Sequence, residues 1–207
     1  MPKTTKTDFS KTNQDRSKKT LDDLLASAYL LVEEAKPEKF TSRELSEKSG
    51  YALGTLIKRL GSIENVFLWA IKKGQEKHFE SFAEITSNFD ENLALNDLLE
   101  QITDATFASM KGVNPKVIRY FEDRSAKKNG FDPDFFNYSD AFVKPFIETA
   151  KRNKTNTFRI FSEAEGRLIF RSTLTLAERP FVEGNPMAGT KEHRRIVIEN
   201  LTRLLGR

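Results

Sequence analysis

Glycines fence two very short helical stretches between Thr41 and Ser62, and this punctuation constrains the fold more than any other feature of the chain. Thr41-Ser42-Arg43-Glu44 is an N-cap threonine followed three residues on by glutamate, the capping-box pattern that opens a helix. That helix stops after Leu45 and Lys48 at Ser49-Gly50, where glycine suits the left-handed C′ position. A second short helix is expected over about 52–60. Ser62 then caps another, with Glu64 in its first turn, where the helix dipole favours an anion. Two short helices joined by a tight glycine turn and set between longer ones read as a helix-turn-helix. The competing reading is a plain helical hairpin in an ordinary all-α domain. Ala52, Gly54 and Thr55 favour the first, because a helix that lies in a DNA groove needs small residues where its backbone comes close. Lys58 and Arg59 follow within reach of phosphates.

The flanks supply the longer helices. Leu21, Leu24, Leu25, Ala28, Leu31 and Val32 recur at helical spacing after Thr20, which is expected as the N-cap, and Pro37 ends the run. Ile63, Val66, Phe67, Ala70, Ile71 and Gly74 form the inner face of a helix expected to reach about Phe82.

The segment from Leu21 to Phe82 resembles the N-terminal domain of the tetracycline-repressor (TetR) family of bacterial transcription regulators. The resemblance rests on Thr41-Ser42-Arg43-Glu44-Leu45-Ser46, on Gly50-Tyr51-Ala52-Leu53-Gly54-Thr55-Leu56, and on Gly61-Ser62 with Glu64 and Val66, at a spacing without gaps. It implies an all-α fold: an N-terminal three-helix DNA-binding domain with a helix-turn-helix over 20–82, then a helical ligand-binding and dimerisation domain over 83–207. It implies that Thr41 and Ser42 meet phosphate, that Arg43 reaches a base or phosphate, and that Tyr51, Ala52 and Thr55 face the major groove. Gly54 would permit close approach, and Lys58 and Arg59 would contact the backbone or an edge base. The chain departs from the family where a phosphate-contacting tyrosine and lysine are expected: those positions hold Ile57 and Ile63, and Leu60 replaces a phenylalanine. Lost phosphate contacts weaken DNA binding over all sequences alike. Either Lys58, Arg59 and the N-terminal tail compensate, or the chain is an interaction module that acts through protein partners with weakened DNA binding.

Beyond Phe89 every segment reads as helix. Leu95, Leu98, Leu99, Ile102, Ala105 and Met110 mark one inner face. Asn114-Pro115 and Asp132-Pro133 are N-cap plus N1-proline starts. Pro145 predicts a kink or break. A long helix is expected over about 158–178, then a loop with Pro180, Gly184, Pro186 and Gly189, then a final helix over about 191–205. In the family the last two helices pair between subunits, so Phe158, Phe161, Ala164, Leu168, Ser172, Ile198 and Leu201 are the candidate homodimer contacts, with Gly166 allowing close helix approach. A homodimer would read a palindromic double-stranded operator with half-sites one turn apart, roughly 34–36 Å. The chain has 17 phenylalanines. Phe107, Met110, Tyr120, Phe121, Phe135, Phe136, Tyr138 and Phe142 are the candidate lining of a pocket for a small apolar effector, the plainer reading being an aromatic core.

Charge and composition exclude several function classes. Residues 1–20 hold six basic and two acidic side chains, which accounts for the whole net charge of +4. Residues 1–19 are expected to be a disordered basic tail, either merely solvated or touching phosphate. There is no cysteine, so thiol nucleophiles and disulfides are ruled out and a cytoplasmic home is expected. No apolar run approaches the ~18–20 residues of a membrane span. No nucleophile elbow, phosphate-cradling loop or zinc-protease motif occurs, so neither an enzyme nor a cofactor is expected, and His78 and His193 lie too far apart for a compact metal-ligand motif. His193 is expected to be exposed at the start of the last helix.

Overall fold

The computed structural model describes residues 15–34, 40–60, 62–111, 113–128 and 138–207. Among these the elements are helical: α1 (Asp15–Glu34), α2 (Ser42–Ser49), α3 (Leu53–Leu60), α4 (Ile63–Asn88), α5 (Leu95–Met110), α6 (Pro115–Lys128), a 3-10 helix (Tyr138–Phe142), α7 (Val143–Arg152), α8 (Glu163–Glu183) and α9 (Lys191–Leu205). The one β-type contact among them is an isolated antiparallel bridge between Phe158 and Gly206. The chain divides into two compact units, Met1–Gly74 and Gln75–Arg207. The division falls inside α4, ahead of the boundary expected after Phe82. Phe82 belongs with the second unit because its ring packs edge-on against Phe142, 4.6 Å away.

In the first unit α1 begins at Asp15, not after Thr20, so residues 15–19 of the expected tail are helical. Lysine and arginine are good helix formers, and nothing in this stretch breaks the helix. Residues 1–14 lie outside the described set. Leu24 and Ala28 are fully buried, and Leu25 and Leu31 nearly so. Phe40, Leu45 of α2, Leu56 of α3, and Val66 and Ala70 of α4 complete the buried apolar set. Each fully buried leucine is worth about 1.5–3 kcal/mol over exposure, so Leu45 and Leu56 help to hold the two short helices down. Thr41 Oγ1 accepts from the Glu44 N–H at 3.2 Å, and Gly50 stands at φ 73° with its N–H on Ser46 O, closing α2 in the left-handed geometry that glycine permits.

In the second unit α4 runs on to Asn88, six residues beyond the expected end. Its last carbonyls are satisfied from elsewhere: Arg152 Nη2 donates to Thr86 O, and to Phe89 O at 3.2 Å. At Pro145 the expected interruption is a break: the 3-10 helix ends at Phe142 and α7 starts at Val143. Pro145 occupies the first turn of α7, where a helix has no use for the missing N–H. The expected second proline start, Asp132-Pro133, lies outside the described residues.

The helix expected over 158–178 is shifted. Phe158 lies in the bridge to Gly206, Ser162 caps α8 by accepting from the Glu165 N–H at 3.2 Å, and the helix continues past Pro180 to Glu183. Pro180 has no N–H for the carbonyl four residues back, Leu176 O. His193 Nε2 lies 3.1 Å from that oxygen and supplies the missing donor. Nδ1 of the same ring accepts from the Gly189 N–H at 3.1 Å, which fixes the proton on Nε2. The ring also stacks on Phe107 at 4.5 Å. His193 is therefore 2% exposed, not the surface residue expected from its place near a helix start.

The core of this unit is a phenylalanine cluster centred on Phe142 and Phe146, 1% and 0% exposed. Gly166 allows close approach within the chain itself: a Cβ there would lie 2.7 Å from Val143 Cγ1 and 2.9 Å from a ring carbon of Phe161. Gly166→Ala should therefore destabilise the protein by about 1–2 kcal/mol, overpacking outweighing the gain in helix propensity. Urea unfolding measures this as a lower midpoint; a raised midpoint would show that the contact relaxes freely.

Candidate nucleic-acid interface and cavity

The turn between α2 and α3 is held by short-range bonds. Ser46 Oγ donates to Tyr51 O at 2.6 Å, and the Tyr51 N–H to Ser49 Oγ at 3.4 Å. Ala52 O accepts from the Thr55 and Leu56 N–H groups at 2.8 and 3.2 Å, which starts α3. Leu56 is 3% exposed and anchors the inner side of α3. Ala52, Leu53, Gly54 and Lys58 are exposed, and Thr55 is half-buried. A Cβ on Gly54 would meet no atom of the chain within 4 Å, so no contact inside the protein calls for glycine there. Tyr51, expected to face the groove, is half-buried and donates its hydroxyl to Asp23 Oδ2 of α1 at 2.9 Å. On α2, Arg43 is exposed and bonded through Nε to Glu47 Oε1 at 3.0 Å. Ser42 is half-buried, and Thr41 is exposed with its hydroxyl oxygen serving the cap. The side chains of Ile57 and Arg59 lie outside the described set.

The second unit contains a cavity of about 30 Å³. His78 and Phe82 of α4 line it, with Leu99, Ile102, Thr103 and Thr106 of α5, Phe142, Phe146, and residues of α8 and α9. Of the four aromatic and methionine candidates whose side chains are described, Phe107, Met110, Tyr138 and Phe142, only Phe142 is among the lining residues. Phe107 is instead taken up by His193 and Phe181, and Met110 is buried in α5. Phe135 and Phe136 lie outside the described residues, as do the side chains of Tyr120 and Phe121. Tyr138 stands beside the cavity and donates its hydroxyl to Glu178 Oε2. Burial, and then the Glu178 carboxylate, push the phenol well above its ordinary pKa, so it remains a donor. Glu178 Oε1 faces His78 Nδ1 at 3.2 Å, and His78 Nε2 meets Thr106 Oγ1 at 3.1 Å. Sequence reasoning missed His78, Thr103 and Thr106. The signal available was two threonines on the stripe otherwise formed by Leu95, Leu98, Leu99, Ile102 and Phe107.

The candidate dimer residues separate into two groups. Phe158, Phe161, Ile198 and Leu201 are 3%, 8%, 8% and 5% exposed and belong to the chain's own interior. Their helical spacing misleads for Phe158 and Phe161, which precede α8. Ala164, Leu168 and Ser172, four residues apart along α8, are exposed, Leu168 by 67%.

Among solved structures the chain is similar to a Mesorhizobium loti MAFF303099 protein assigned to the TetR family, at TM-score 0.66 and 12% identity over 94% of this chain and 100% of that one. A TetR-family transcriptional regulator from Streptomyces coelicolor matches at TM-score 0.67 and 12% identity, over 90% of this chain and 80% of that one. One from Haemophilus influenzae Rd matches at 0.56 and 14%, over 94% and 100%. No protein-family model and no curated protein matches the sequence. The architecture is thus an all-α one, with a helix-turn-helix unit followed by a larger helical unit. It is the fold of the TetR-family transcriptional regulators.

Proposed function

We propose that the chain is a sequence-specific DNA-binding transcriptional regulator, a homodimeric repressor relieved by a small, largely apolar effector. The observation that carries this reading is α3. Its inner side is anchored by Leu56, while Ala52, Gly54 and Lys58 are exposed, and Gly54 leaves a smooth backbone that no internal contact requires. A helix N-terminal end of this shape suits the floor of a major groove, with Lys58 and Arg59 on phosphates. The TetR-family neighbours support the same reading. Leu168 with Ala164 and Ser172 gives α8 an exposed apolar strip suited to a second copy, and a two-fold dimer reads a palindromic operator. No helix among the described residues is long and apolar enough to cross a membrane, which agrees with a cytoplasmic regulator.

A second reading is kept by Leu53, an apolar side chain 46% exposed on the same helix: a TetR-fold interaction module that acts through protein partners. Selection of duplexes from a random DNA pool by the purified protein, at about 0.15 M salt, tests the first. A palindromic consensus is expected. The double variant Lys58→Glu with Arg59→Glu should reduce affinity for that consensus at least about 100-fold, because each cation lost also reverses sign against phosphate. Its circular dichroism and oligomeric state should not change. Undiminished regulatory activity in that variant would instead favour the interaction module.

A further inference from the structure

We infer that Leu53 reads the operator by an apolar contact with the C5-methyl group of a thymine in the major groove, so that each half-site carries a thymine under the start of α3. This rests on the reading of the chain as a DNA-binding regulator and names the base chemistry that α3 recognises. Exposure alone decides nothing, since single exposed leucines are ordinary on protein surfaces. The place of this one decides. Leu53 is the first residue of α3 and 46% exposed, while Leu56, three residues on, is 3% exposed and anchors the helix. Ala52 and Gly54, on either side of Leu53, are exposed as well. A Cβ at Gly54 would meet no atom of the chain within 4 Å, so the backbone beside Leu53 is bare.

The polar side chains around the turn are taken up inside the protein. The Tyr51 hydroxyl donates to Asp23 Oδ2 at 2.9 Å, Ser46 Oγ donates to Tyr51 O at 2.6 Å, and Ser49 Oγ accepts from the Tyr51 N–H at 3.4 Å. Arg43 Nε donates to Glu47 Oε1 at 3.0 Å. Thr55 carries the remaining hydroxyl between Ser49 and Leu56; it is half-buried, and a threonine hydroxyl fits donor and acceptor edges alike. Residues 50–57 hold no Asp, Glu, Asn, Gln, Lys or Arg. The pairings that pick out guanine, adenine or cytosine by hydrogen bonds need such groups. Thymine alone presents a methyl group in the major groove, so an apolar side chain there tells T·A from the other three pairs. A protein partner is a poorer match for the same leucine. It would need an apolar patch of interface size, whereas Leu53 stands between an alanine and a glycine, and a methyl group needs no more than that.

The test uses the full chain and the duplex it selects from the random pool. Deoxyuridine is put in place of each thymidine of that duplex, one position at a time in both half-sites. Each exchange removes one methyl group and leaves the base pairing intact. Fluorescence anisotropy at about 0.15 M salt reads the affinity. At one thymine per half-site the exchange should cost about fourfold, and about 15-fold with both half-sites changed. Leu53→Ala should bind the thymidine and deoxyuridine duplexes alike, with the urea midpoint unchanged because the side chain is exposed. A selected duplex that tolerates deoxyuridine at every position, or a penalty that persists in Leu53→Ala, would overturn this inference and leave the regulator reading standing. A pool that stays random would overturn both, and Leu53 would then belong to a protein interface.

Discussion

Gly54→Glu is expected to abolish operator binding while leaving the protein at least as stable as before. The two effects have separate causes. Within the chain, position 54 is open: a Cβ there meets nothing within 4 Å. Glycine in a helix is worth up to about 1 kcal/mol less than alanine. A glutamate in the first turn of α3 also gains from the helix dipole, typically 0.3–1 kcal/mol. Toward DNA the same change sets a long anion where backbone and phosphate should come close. A loss of at least about 100-fold in affinity, near 2.7 kcal/mol, is expected. Gly54→Ala should show the pattern in weaker form. Fluorescence anisotropy with the selected duplex measures the first effect and urea unfolding the second. Unchanged affinity in Gly54→Glu would mean that α3 is not the reading helix.

Phe146→Ala should be the most damaging single truncation in the second unit, at about 3–5 kcal/mol. Its side chain is fully buried, with ring centroids of Phe158, Phe161 and Phe170 at 5.8, 5.8 and 5.5 Å. Those neighbours lie on one run of chain, the segment of Phe158 and Phe161 that leads into the Ser162 cap, and α8 itself. The Phe146 ring thus ties α7 to that run. Against a total stability of about 5–15 kcal/mol, the loss would leave this unit marginal. Denaturant unfolding followed by circular dichroism should show it, and a cost below about 1 kcal/mol would mean that the cluster closes over the gap.

What was legible in the sequence is local chemistry. The Thr41 cap and the start of α9 after Thr190 follow from side chains that bond to their own neighbourhood, and the left-handed Gly50 from the lack of a side chain. What was hidden is tertiary. Pro180 looks like a loop residue until His193, from another helix, bonds to the carbonyl that proline leaves without its N–H. Phe158 and Phe161 share a helical spacing, yet both are buried from the irregular stretch that precedes the α8 cap. The cavity was missed for a related reason. Aromatic content directs attention to rings, and the rings mostly fill space with one another. Among the cavity's lining residues the buried polar atom without a bond belongs to Thr103, and only the three-dimensional arrangement separates it from threonines bonded to their own helix. On α3 the small residues were readable directly, whereas the bond from Tyr51 to Asp23 spans 28 residues and was not.

The distribution of rare chromophores has a practical consequence. The chain has one tryptophan and two histidines. Trp69 lies in the first unit, with Lys73 Nζ 5.9 Å from the ring centre, and both imidazoles lie in the second. Indole fluorescence is thus a label for the first unit alone. The His193 ring, stacked on Phe107, should give a proton resonance displaced by ring current, which vanishes when the second unit melts. One unlabelled sample therefore carries separate clocks for its two units.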